Sequence, residues 1–77
     1  DKLSWKEQRE LEVLPEKIAA LEEEQGILTG RLEDPAIYQS DPAGAQQAAE
    51  RLAAIDEELM VLLERWEALE ARAGGAS

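Results

Sequence analysis

The sequence predicts an all-α antiparallel two-helix coiled-coil hairpin. Three observations predict it. One apolar stripe runs Leu11, Leu14, Ile18, Leu21, Gln25, Leu28, Leu32, its members alternately three and four residues apart, with a single polar residue. A second stripe, Ala45, Ala48, Leu52, Ile55, Leu59, Leu62, Trp66, Leu69, Ala73, keeps the same alternation throughout. Such heptad spacing belongs to helices joined along a narrow seam. The third observation is the short link between the stripes, bounded by two Asp-Pro steps, which lets the second helix fold back on the first. No segment alternates with a period of two, and Val and Thr are scarce.

Helix one is expected from about Ser4 to Leu32. Ser4-Trp5-Lys6-Glu7 has capping-box spacing, with Ser followed three residues later by Glu, so each side chain can bond the other's backbone N–H. Pro15 falls inside the stripe. It has no N–H to donate and restricts Leu14, so the helix is expected to be kinked or broken near Pro15. Gly26 and Gly30 weaken its far end, each by ~1 kcal/mol relative to Ala.

The connecting loop is expected over Glu33–Asp41, with a short helical turn opened by Asp34-Pro35 and carrying Ile37 and Tyr38. Tyr38 is expected to plug the tip, and Ser4 and Ser40 to act as caps. Asp41-Pro42 opens helix two, because Asp can cap orphan N–H groups and Pro fits the first helical position. Helix two is expected over Pro42–Ala73, ended by Gly74-Gly75; about 30 residues at 1.5 Å each give ~45 Å. The whole chain, Asp1–Ser77, reads as a single domain.

The two stripes fix a register. Leu28 pairs with Leu52, Leu21 with Leu59, Ile18 with Leu62, Leu14 with Trp66 and Leu11 with Leu69, so that residue numbers in every pair share one sum. Gln25 then faces Ile55. A polar seam residue commonly fixes register at some cost in stability.

Composition excludes several functions. The 77 residues include no Cys and no His, which removes disulfide staples, thiol chemistry, His-based acid/base catalysis and the common zinc sites. No run approaches 18 apolar residues, so no membrane span is expected, and no basic-then-apolar leader is visible. A cytoplasmic helical piece is the expectation. Carboxylates are abundant, but no nucleophile, metal-ligand pattern or glycine-rich phosphate loop accompanies them. No catalysis and no cofactor are expected of this chain.

The charge is -10, from 18 acidic and 8 basic residues, which argues against nucleic-acid binding along the whole rod. The basic residues are unevenly placed, however. Lys2, Lys6 and Arg9 lie at the start and Arg65 and Arg72 near the end, which a hairpin brings alongside, next to Trp5 and Trp66. Glu22, Glu23 and Glu24 lie across from Asp56, Glu57 and Glu58. A basic, Trp-bearing open end could touch phosphates or stack on bases. The competing reading is that these cations pair with Glu7, Glu10, Glu67 and Glu70 among the same turns. A second candidate surface is the apolar zone Val13, Met60, Val61 and Leu63. It either fills a gap opened at Pro15 or docks another domain.

Several segments also carry a family resemblance. Lys2-Leu3-Ser4-Trp5-Lys6-Glu7-Gln8-Arg9-Glu10-Leu11, the Leu14-Pro15 step, Asp34-Pro35-Ala36-Ile37-Tyr38 and Arg65-Trp66-Glu67-Ala68-Leu69-Glu70 resemble the opening motif, Leu-Pro step, loop and closing motif of the C-terminal coiled-coil domain of ABC-F ATPases, in its Uup-like branch. The resemblance implies a longer parent with two ATP-binding cassettes, which would hold ATP and Mg, and a C-terminal domain that contributes DNA binding. It also implies a ribosome-associated role for other branches. The sequence departs from the pattern in its strong acidity and in showing no basic linker before Asp1.

Two functional expectations follow. In one, the domain contacts DNA through Lys2, Lys6, Arg9, Arg65 and Arg72. In the other, Val13, Met60, Val61 and Leu63 dock on the ATPase cassettes or on the ribosome. Dimerisation of a purely structural coil ranks below both, since one chain already satisfies both stripes, and a monomer is expected.

Overall fold

The computed structural model describes residues 3–74 and contains three helices: α1 (Trp5–Glu33), α2 (Ile37–Ser40) and α3 (Pro42–Ala73). α1 and α3 lie side by side and antiparallel, making a rod of 55 × 17 × 14 Å. The fold is the all-α hairpin that the two stripes predict.

Each boundary has a local cause. Ser4 Oγ accepts from the Glu7 N–H at 3.2 Å and Glu7 Oε1 accepts from the Ser4 N–H at 2.9 Å, so both halves of the capping box form. Asp41 caps α3 by accepting from the Gly44 N–H at 3.0 Å, with Pro42 in the first turn. At the far end the Gly74 N–H bonds the Glu70 carbonyl at 2.7 Å. Gly75 lies outside the described residues.

Pro15 does not break the helix. α1 runs through it as one element, with Pro15 on an exposed position. An exposed ring can be met by a local adjustment of the preceding turn, and the carbonyl it deprives of a donor, that of Leu11, costs less near water than in a core. Continuous seams on either side, through Leu14 and Ile18, hold the helix together across the defect.

The core is a single seam divided into two clusters. Ile18, Leu28, Ala48, Ile55 and Leu59 form the first, with Leu21, Leu32, Leu52, Leu62 and Trp66 against them. Leu3, Leu14 and Leu69 form the second, with Leu11, Leu62 and Trp66 against them. The two members of each apolar pair in the expected register fall in one cluster. Ile55 and Leu69 are fully buried, and no polar residue is buried among the described ones. Gln25, opposite Ile55, stays half-buried and turns its amide outward to donate to Asp56 Oδ1 at 2.7 Å.

The tip differs from expectation. Ile37, not Tyr38, is its buried residue. Tyr38 lies exposed and its hydroxyl donates to the Leu32 carbonyl at 2.7 Å, tying the loop to the last turn of α1. Ser40 does not cap α3; its hydroxyl donates back to the Ala36 carbonyl at 3.0 Å. Asp41 takes the cap because it directly precedes Pro42, the first residue of α3, which puts its carboxylate within reach of the Gly44 N–H three residues on.

Candidate nucleic-acid interface at the open end

The seam defines heptad positions. With Leu11, Ile18, Gln25 and Leu32 as position a in α1, and Ala45, Leu52, Leu59 and Trp66 as position a in α3, the remaining residues fall on two flanks and an outer face. On one flank, position g of α1 meets position g of α3. Glu10 Oε2 and Oε1 accept from Arg65 Nε and Nη2 at 2.7 and 2.9 Å. Glu24 Oε2 and Oε1 accept from Arg51 Nε and Nη2 at 2.7 and 2.9 Å. Lys17 and Glu58 occupy the g positions between them. The flank is a ladder of opposite charges between the helices.

The ladder continues to the open end. Arg72 Nη1 and Nη2 donate to Glu7 Oε2 and Oε1 at 2.6 and 3.1 Å, and Arg65 Nη2 lies 3.9 Å from the same Glu7 carboxylate. Glu7 thus serves the α1 cap and two arginines of α3. The backbone N–H of Ser4 and then the Arg72 guanidinium hold its carboxyl at about 2, against an ordinary 4.5. Arg65 lowers Glu10 and Arg51 lowers Glu24, while those carboxylates raise the two guanidinium groups in turn. Bidentate arginine pairing of this kind fixes geometry as well as charge.

This pairing divides the five candidate nucleic-acid contacts. Arg65 and Arg72 are committed across the hairpin, and a phosphate would have to displace a glutamate to reach either. Arg9 has only a 3.7 Å approach to Glu12, with both side chains well exposed. Lys6 has no ion pair among the described residues. Lys2 lies outside the described residues. Lys6 and Arg9 stand three apart and Trp5 and Arg9 four apart, so the three share the outward arc of the first turns of α1. Trp5 is 74% exposed there. Trp66, by contrast, is half-buried in the seam and its indole N–H donates to Glu70 Oε2 at 3.2 Å. The arginine ladder was legible in the g positions of the two stripes, but clustering by sequence end hides it, because pairing depends on register.

The candidate docking residues also divide. Met60, Val61 and Leu63 are exposed and Val13 is half-buried. Val61 lies four residues before Arg65, and Val13 four before Lys17, which puts both beside the ion-pair ladder. Met60 and Leu63, three apart, lie on the opposite flank. The four are therefore divided between the two flanks.

Among the described residues, no group of three or more Asp and Glu is placed to hold a metal ion, and no helix is long and apolar enough to cross a membrane.

Capped antiparallel helices, a Leu-Pro step carried within the first helix and an Asp-Pro-bounded tip define a helical hairpin domain. The chain belongs to the ABC transporter C-terminal domain family, whose profile matches residues 2–71. It is similar to ATP-binding protein Uup of Haemophilus influenzae, 41% identical over 69 residues, covering 90% of this chain and 11% of that protein. It is also similar to ATP-binding protein Uup of Escherichia coli, 38% identical over 74 residues, covering 96% of this chain and 12% of the relative. A Uup-like ATP-binding protein of Haemophilus influenzae is 41% identical over 69 residues, of which this chain spans 15%. These matches establish the resemblance to the C-terminal domain of a Uup-like ABC-F protein. The chain spans about an eighth of the length of these relatives. No solved structure matches it.

Proposed function

We propose that this chain is a non-catalytic accessory domain of a longer ABC-F ATP-binding protein, and that it contributes a DNA contact through its open end. ATP and Mg would be held by cassettes outside these residues, with the domain itself carrying no cofactor and acting as a monomer in the cytoplasm. The observation that carries the reading is the outward arc of Trp5, Lys6 and Arg9. It combines an aromatic face with two cations that are not locked across the hairpin. Aromatic side chains supply stacking without sequence preference, and the cations supply phosphate contact. Arg65 and Arg72 then act on the fold, and Lys2 extends the cationic arc in sequence.

The test is a salt titration of binding to branched and duplex DNA. Lys6→Glu and Arg9→Glu should each weaken binding and flatten the salt slope by roughly one. Trp5→Ala should weaken it with the slope unchanged. No detectable binding at low salt, by the chain alone and with a basic linker joined before Asp1, would overturn the proposal.

A second reading, an arm docking on the ATPase cassettes or on the ribosome, is supported by the exposed Met60 and Leu63. Loss of parent function on substituting these two residues, with DNA binding intact, would favour it over the first.

A further inference from the structure

The two flanks of the hairpin are chemically unlike. The ladder flank holds Lys17, Arg31, Arg51, Arg65 and Arg72 at its g positions, and interhelical pairs tie down three of these arginines. The opposite flank, made of positions e and b, contains no basic residue among those described. At its centre lie Pro15, Met60 and Leu63, all exposed. In this register Leu63 occupies the e position facing Pro15, and Met60 stands one turn from Leu63. Around them are Glu22, Asp56 and Glu67. None of these carboxylates has a cation within 4.0 Å among the described residues.

The flank therefore leaves two things unsatisfied at one place. Glu22 and Asp56 sit at facing e positions, where like charges oppose each other; the one polar partner Asp56 has is the Gln25 amide. Beside them is an apolar strip with no covering element. A neutral apolar partner would bury the strip but strand the carboxylates. An acidic partner, nucleic acid included, would be repelled. A helix with apolar residues along one stripe and Lys or Arg on either side would cover the strip and offset the charges together.

We infer that the flank formed by Pro15, Met60 and Leu63 docks a cationic amphipathic helix, which lies along the hairpin as a third strand. This gives chemical content to the docking reading and is independent of the DNA reading, because Lys6 and Arg9 are not on the flank and Trp5, at its b position, stands ten residues before Pro15, ~15 Å away along the helix. The mode is the familiar one of an apolar helix face in a groove, with charge selecting the partner.

The probe is a synthetic peptide of about three heptads with Leu at a and d and Lys at e and g. Its control carries Glu in place of Lys. Both are titrated into the isotopically labelled 77-residue chain. The Lys peptide should shift the Met60 methyl and the amides of Leu63, Glu22 and Asp56, leaving the residues beside Glu10, Glu24 and Arg51 unmoved. The Glu peptide should shift nothing. Met60→Lys with Leu63→Lys should weaken binding about tenfold or more, as loss of an interface centre does. Val13→Lys with Val61→Lys adds the same charge on the other flank and should leave affinity within about twofold. Equal weakening by the two pairs would overturn the proposal, reducing the effect to bulk acidity. Shifts spread along both flanks, or no binding at low salt, would overturn it as well. Helicity of each variant is followed by circular dichroism. Should the Met60/Leu63 pair unfold, the shift map on the unsubstituted chain decides alone. Lys6→Glu and Arg9→Glu should leave peptide binding unchanged, which separates this outcome from failure of the DNA reading.

Discussion

Arg72, in the last turn of α3, grips Glu7, in the first turn of α1, through two hydrogen bonds of 2.6 and 3.1 Å. The same carboxylate returns the cap bond to Ser4, so one side chain couples the start of one helix to the end of the other. The folded state holds Glu7 at about 2, below the ordinary 4.5. The folded protein thus binds this proton less readily than the unfolded chain. The contribution is complete above pH 4.5, fades as pH falls and is gone below about 2. Glu7→Gln should lower the melting temperature at neutral pH. The gap between variant and parent should close as pH falls through that window, read by thermal melts at a series of pH values. A gap independent of pH would contradict this account.

Ser4→Ala removes the acceptor for the Glu7 N–H and should cost about 1 kcal/mol, the common value for a lost cap. Urea denaturation monitored by circular dichroism measures it. Ser4→Asp, which restores an acceptor, should recover most of the loss.

Gly26 and Gly30 sit inside α1 with nothing within 4 Å of where a Cβ would be. Replacing either by Ala should stabilise the hairpin by roughly 0.5–1 kcal/mol through helix propensity alone. The unfolding midpoint in urea should rise with the slope unchanged. Gly44 behaves otherwise, because an added Cβ there meets the Asp41 carboxylate that caps α3. Gly44→Ala should therefore gain less than the other two, or lose stability.

Ile55 is fully buried at the middle of the seam. Ile55→Ala should cost about 2–5 kcal/mol, enough to leave much of a hairpin this small unfolded at room temperature. Met60→Ala, on an exposed position of the same helix, should change stability by less than about 0.5 kcal/mol. Comparing the two by thermal denaturation separates seam from surface.

Most of the fold was legible because the seam residues repeat on a period that only a helix pair satisfies. Leu14, Ile55 and Leu69 announce their burial by spacing alone. Ser4-Glu7 and Asp41-Pro42 likewise carry their capping role in residue type and offset. Pro15 was less legible. Residue type gives its missing N–H but not whether its ring meets water, and an exposed ring is what lets α1 continue. Leu3 precedes the first stripe, so its place in the core with Leu14 and Leu69 depends on the path of the chain into the cap. At the candidate site, the sequence shows cations near one end. Which of them are captured follows from register, since Arg65 meets Glu10 and Arg72 meets Glu7 only once both helices are aligned.

The antiparallel arrangement also sets the rod's mechanics. The first turn of α1 and the last turn of α3 lie at one pole, and the α2 turn lies at the other. Tension applied through those two ends would not shear the seam as a whole. It would load the Glu7–Arg72 rung first, then the layer of Leu3, Leu11, Leu14 and Leu69, then each layer toward Ile37 in turn. Each step separates one rung while the rest stay shut, so the hairpin yields as a zipper does, at low force and from the end that carries Trp5.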